Sequence, residues 1–106
     1  MSVKSIGIPP AALEDEKSVE MARVWVAQQG LHCVLNVGTY RNSGIREAKA
    51  WGIMLADMAR HVSDALVRNG METDAETALA VVRDQMLNEL DRPSSKTTGE
   101  FKRTKQ

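Results

Sequence analysis

The sequence is poor in the residues that most often carry chemistry. It holds one cysteine, Cys33, two histidines, His32 and His61, and four aromatic residues, Trp25, Tyr40, Trp51 and Phe101. A single thiol excludes an intramolecular disulfide and a cysteine-rich zinc site. The seven glycines are scattered and form no phosphate cradle. No P-loop, dinucleotide glycine pattern, nucleophile elbow or metal-binding helix motif is present. No run approaches the ~20 apolar residues of a membrane span, and no charged-then-apolar leader opens the chain. A soluble, cytoplasmic protein with no cofactor and no metal is the expectation. Net charge is also missing, with 14 Lys and Arg against 14 Asp and Glu, but the balance is uneven along the chain. Residues 1–91 carry an excess of acid and residues 92–106 an excess of base. A basic tail on a mildly acidic body argues against nucleic-acid binding, which needs a basic face on the folded domain.

What the chain does have is one long amphipathic stretch. From Glu47 to Asn69 the apolar residues Ala48, Trp51, Leu55, Met58, Val62, Ala65 and Leu66 fall in one sector at 100° per residue, the pattern of a core-facing stripe. One flank is a run of small side chains, Gly52, Ala56, Ala59 and Ser63. A glycine inside a helix costs about 1 kcal/mol relative to alanine, so Gly52 is expected where another backbone comes close. The opposite flank carries Met54, Asp57, His61, Asp64 and Arg68. Asp57 and His61 are four residues apart and can meet, which suits either a carboxylate-oriented imidazole or an ordinary boundary histidine. No third ligand stands at a metal-binding spacing.

Before this helix, Val3–Ile8 is a candidate short strand, and Pro9-Pro10 forces an extended segment. Asp15 is placed as an N-cap, and a first helix is expected over Glu16–Gln29, with Val19, Ala22 and Val26 as its stripe and Gly30 ending it. Leu31–Tyr40 alternates apolar and polar residues, the period of a half-buried strand. After Asn69-Gly70, the Thr73-Asp74-Ala75-Glu76 segment opens a third helix that Pro93 ends. Arg83 falls in its apolar sector, where Asp57 or Asp64 would be natural partners. The expectation is an α+β fold, mostly helical, with about three helices and one clear strand in the order β?-α-β-α-α. The domain is set at 1–91, followed by a disordered basic tail over 92–106.

Three segments together, PPAALED (Pro9 to Asp15), VEMARVW (Val19 to Trp25) and AWGIMLADMARHV (Ala50 to Val62), resemble a family of short bacterial proteins described only as a domain of unknown function. The resemblance spans most of residues 9–69. It implies a soluble bacterial protein and brings no activity, cofactor or catalytic residue. The loop from Thr39 to Ala50 is longer than that family's pattern, and the basic tail is an addition to it.

Three function classes follow. The first is a non-enzymatic interaction module, homodimeric through the Leu31–Tyr40 strand, whose unpaired backbone would otherwise be left open. The second is a ligand-binding domain or minor enzyme with a site near Trp25, Trp51, Asp57, His61 and Arg83. The third is a nucleic-acid-associated protein acting through its tail. Either tryptophan, as a core anchor or a pocket wall, is expected to lie among the larger buried groups.

Overall fold

The segment Arg23-Val24-Trp25-Val26 is dense in β-branched and aromatic side chains, and it is extended, not helical. In the computed structural model, which describes residues 4–94, 96 and 98–103, the elements are α1 (Pro10–Glu14), β1 (Ala22–Ala27), β2 (Gly30–Val37), α2 (Glu47–Arg68), α3 (Ala75–Asp91) and β3 (Thr98–Arg103). The fold is α+β, with three helices and a three-stranded mixed sheet ordered β1-β2-β3. β1 and β2 are antiparallel, with Val24 opposite Cys33 and Trp25 opposite His32. β2 and β3 are parallel, with Leu35 beside Phe101.

The helix expected over Glu16–Gln29 is therefore replaced by β1 and a tight hairpin. Val19, Ala22 and Val26 fit a helical stripe, but Ala22, Val24 and Val26 fit strand alternation equally well. The hairpin turn decides between them. Gln28 and Gln29 both adopt positive φ, 51° and 63°, as a two-residue type I′ connection requires. Gly30 is thus the first residue of β2, paired with Ala27, and ends no helix. Asp15 likewise follows α1 as its C-cap, and its Oδ1 accepts from the Lys17 N–H at 2.9 Å. Of the candidate strand Val3–Ile8, the described part from Lys4 has no regular structure, and Val3 lies outside the described residues. The segment after residue 91, expected as a disordered tail, carries β3. Residues 95, 97 and 104–106 of that segment lie outside the described set.

The pairing register makes the sheet two-faced. Ala22, Val24, Val26, Leu31, Cys33, Leu35 and Phe101 share one face, because directly opposed and alternate residues point the same way. Arg23, Trp25, His32, Asn36, Glu100 and Lys102 share the other. The residues named on the first face are all apolar, yet Val26 is 83% exposed and Phe101 68%.

The two long helices form an antiparallel hairpin whose ends are well closed. Gly70, at φ 74°, follows α2, with its N–H bonded to the Val67 carbonyl and the Met71 N–H bonded to the Leu66 carbonyl. These two bonds make a Schellman motif. Asp74, not Thr73, is the N-cap of α3, accepting from the Glu76 and Thr77 N–H groups. Hydrogen bonds from Thr77, hydroxyl first, hold the Asp74 carboxyl below its usual range. Burial is concentrated near this turn, where Ser63 and Ala78 are almost fully covered. Their small side chains let α2 and α3 approach closely.

The expected approach at Gly52 does not occur. A Cβ added there would meet nothing within 4 Å, and Ala56 is exposed as well. Only the later part of the small-residue flank, Ala59 and Ser63, is covered. The apolar stripe is equally open, with Leu55, Met58 and Val62 each about half exposed. Sheet and helical hairpin pack within themselves and hardly at all on each other. Ala50 and Ala78 are the only buried apolar residues among those described.

Two outcomes test this fold. Replacing Gln28-Gln29 by Asn-Gly puts residues that tolerate left-handed φ at both turn positions, so urea unfolding should show a gain of about 1–2 kcal/mol. Gly99, at φ 142°, sits where an added Cβ would collide with the Cys33 carbonyl. Gly99→Ala should detach β3 and speed hydrogen exchange at the β2 amides that bond to it, while those facing β1 stay protected.

Candidate functional site

A carboxylate ties the chain leaving the sheet to the first long helix. Glu47, the first residue of α2, accepts the backbone N–H of Gly38 at 3.0 Å and that of Tyr40 at 3.1 Å. It also accepts the Trp51 indole N–H, one helical turn on, at 3.1 Å. The chain leaving β2 is thereby bound to the start of α2. The Gly38 N–H acts most strongly to lower the Glu47 pKa, opposed by partial desolvation, with Tyr40, Trp51 and Arg41 adding to the lowering. A carboxylate with three donors has most of its acceptor capacity in use and serves as an anchor. Sequence reasoning passed over Glu47. The available signals were its place at the N-terminus of the helix and its four-residue spacing from Trp51.

The residues expected to form a site do not converge. Trp51 is half-buried and engaged with Glu47. Trp25 is half-buried on the polar face of the sheet, opposite His32. Asp57 is exposed and paired with Arg60 on its own helix. His61 is exposed on the same flank, and no hydrogen bond joins it to Asp57 among the described contacts. Arg83 is not inserted in an apolar interior and reaches neither Asp57 nor Asp64. It is exposed and bonded to its neighbour Asp84 at 3.2 Å. Exposed pairs of this kind contribute little to stability.

Two shallow concavities remain. One, of about 330 Å³, lies at the end of the sheet beside the Glu20–Arg23 ion pair, with Asn36 and Lys102 on its wall. The other, of about 270 Å³, lies between Arg60, Ser63 and Asp64 of α2 and Ala75 and Leu79 of α3. Neither encloses a ligand-sized volume within apolar walls, the usual form of a small-molecule site. Among the described residues no group of three or more His, Cys, Asp or Glu side chains is placed to hold a metal ion. Cys33 is half-buried on the apolar face of the sheet, while His32 projects from the other face.

Comparison with known proteins bears on the family and the fold. The family model of the domain of unknown function DUF5076 matches residues 5–94. A solved structure described as that of a putative pyruvate dehydrogenase from the photosynthetic bacterium Rhodopseudomonas palustrus is similar to this chain. It shares 25% identity with a TM-score of 0.68, and 98% of each chain is covered. No curated protein matches the chain.

Because the folded Glu47 pKa lies below its ordinary value of 4.5, its stabilising effect is present above that value and is lost as pH falls through the lowered one. Glu47→Gln should therefore be less stable than the parent at pH 7. Its stability should also fall less between pH 4.5 and more acid solution. Acid titrations followed by tryptophan fluorescence and circular dichroism would check both.

Proposed function

The chain belongs to the DUF5076 family, and from that premise we propose that it acts as a non-enzymatic, homodimeric interaction module of the cytoplasm. One observation carries this reading: the single chain leaves far too much apolar surface in contact with water. Its accessible surface is 9412 Å², whereas a folded monomer of 11.7 kDa is expected to expose about 5,900 Å². Its radius of gyration is 15.8 Å, against about 13 Å for a compact domain of this length. The excess surface is roughly 3,500 Å² per chain, so two chains together have more than the 2,000 Å² or so, counted over both partners, at which obligate interfaces begin. The arm Lys4–Pro9 contributes part of the total, but it does not account for exposed Leu55, Met58, Val26 and Phe101.

A single-chain ligand site near Trp25, Trp51, Asp57, His61 and Arg83 has less support. The two tryptophans lie on the sheet and on α2, which share almost no packing, and Asp57 and Arg83 are engaged with near neighbours. The dehydrogenase name belongs to the similar structure, and nothing in the residues here extends it to this chain. No helix of the described residues is long and apolar enough to cross a membrane, so an apolar surface of this size is better matched by protein than by a bilayer-spanning role.

Light scattering across a dilution series should give twice the chain mass of 11.7 kDa down to low micromolar concentration. A monomer mass at tens of micromolar would refute the proposal. His61→Gln should leave this mass and the melting temperature unchanged, as expected of an exposed side chain outside the apolar surfaces. Loss of dimer on that change would instead place His61 in the interface.

A further inference from the structure

We infer that the dimer is reciprocal: the apolar face of each sheet is covered by the α2–α3 hairpin of the second copy. This rests on the homodimer reading above and specifies which surfaces meet. Each chain carries two complementary halves of a core. One is the sheet face formed by Val24, Val26, Leu31, Cys33, Leu35 and Phe101. The other is the α2 stripe of Trp51, Leu55, Met58 and Val62. The residues named on both surfaces are uncharged. The charged residues lie on the outer face of the sheet, at Arg23, Glu100 and Lys102, and on the outer flank of α2, at Asp57, Arg60 and Asp64. A helix layer on one face of a sheet is the usual way to complete an α+β core.

The two halves are kept apart within one chain. Glu47 fixes the chain leaving β2 to the first turn of α2 through the Gly38 and Tyr40 N–H groups. Swinging the hairpin onto its own sheet would have to break that junction and leave a carboxylate with two lost donors. A second copy related by a two-fold axis supplies the missing layer to both sheets at once. Such an isologous arrangement closes after two chains and leaves neither surface open. Pairing helix on helix or sheet on sheet would cover one surface and leave the other exposed in both copies. The excess surface of about 3,500 Å² per chain is sufficient for both contacts of the reciprocal arrangement.

Cross-linking between differently tagged chains separates these arrangements. In a Cys33→Ala background, Val26→Cys is placed on one chain and Met58→Cys on the other, the pair is co-expressed, and a short bismaleimide is added. Phe101→Cys with Val62→Cys serves as a second pair if either first variant fails to fold. Circular dichroism and mass confirm folded dimers before cross-linking. The expected result is a covalent heterotypic dimer in the mixed sample and none in either variant alone. Homotypic linkage through Val26→Cys would mean sheet on sheet, and through Met58→Cys helix on helix; each would overturn this inference while leaving the homodimer intact. A dimer that cross-links in no sample would also overturn it. A monomer mass for the parent chain would remove the homodimer reading itself.

Discussion

Three donors converge on the carboxylate of Glu47, and the relation between the two halves of the molecule depends on them. The sheet and the helical hairpin have almost no packing to hold their relative placement. In a compact domain that task falls to dozens of van der Waals contacts, each too weak to matter alone. Here the Gly38 and Tyr40 N–H groups tie the chain leaving β2 to α2 through one side chain, and the Trp51 indole braces that side chain from within the helix. The bonds are directional, so the geometry they impose is specific even though the net stabilisation from each is modest. The same side chain fixes Trp51, whose ring forms part of the exposed α2 stripe. The junction therefore sets the angle of the hairpin and presents its apolar surface.

A core made of Ala50, Ala78 and the hydroxyl-bonded Ser63 is too small to hold 106 residues against their conformational entropy. The composition is not at fault, since 42% of the chain is apolar. The apolar residues are present and correctly spaced, but the chain does not bring them together. Local interactions are by contrast well made: the Schellman closure of α2, the Asp74 cap of α3, the Ser63 hydroxyl bond to the Ala59 carbonyl, and the Glu89 carboxylate accepting the Ser94 N–H as the chain leaves α3. Elements that are individually well terminated and collectively uncovered are what an intertwined assembly requires of each of its chains.

The sequence revealed the parts whose signals are local. The helix over Glu47–Arg68, the capped start of α3 and the β2 strand all carry periodicity or caps readable within a dozen residues. Where two periods coincide, the reading failed. Val19, Ala22 and Val26 satisfy a helical stripe, and the turn that makes the region a hairpin is Gln-Gln, without the Asn or Gly that advertises a type I′ connection. β3 failed for a different reason. Thr98–Arg103 has one large apolar residue, Phe101, and its strand conformation comes from pairing with β2, more than sixty residues away in sequence. The same distance problem hid the environment of Gly52 and Arg83. Helical geometry states which face a residue occupies, but it does not state whether another element covers that face.

β3 also changes where an interface can form. With only β2 in hand, an open strand edge invites pairing with a second copy. β1 and β3 occupy both edges of β2, so the backbone of the Leu31–Tyr40 region has no ladder to offer a partner. What the sheet leaves uncovered is therefore apolar area and not the backbone of β2. The third strand widens the apolar face by Phe101 and places Glu100 and Lys102 on the opposite, solvated face. The parallel pairing follows from the connection, because β2 and β3 are joined through the whole α2–α3 hairpin and not by a tight turn. The basic segment, which composition alone marks as a solvated tail, thus makes the sheet more one-sided. A sheet that is one-sided and uncovered is the surface that the proposed reciprocal dimer would cover, and the helical hairpin has a surface of the matching kind.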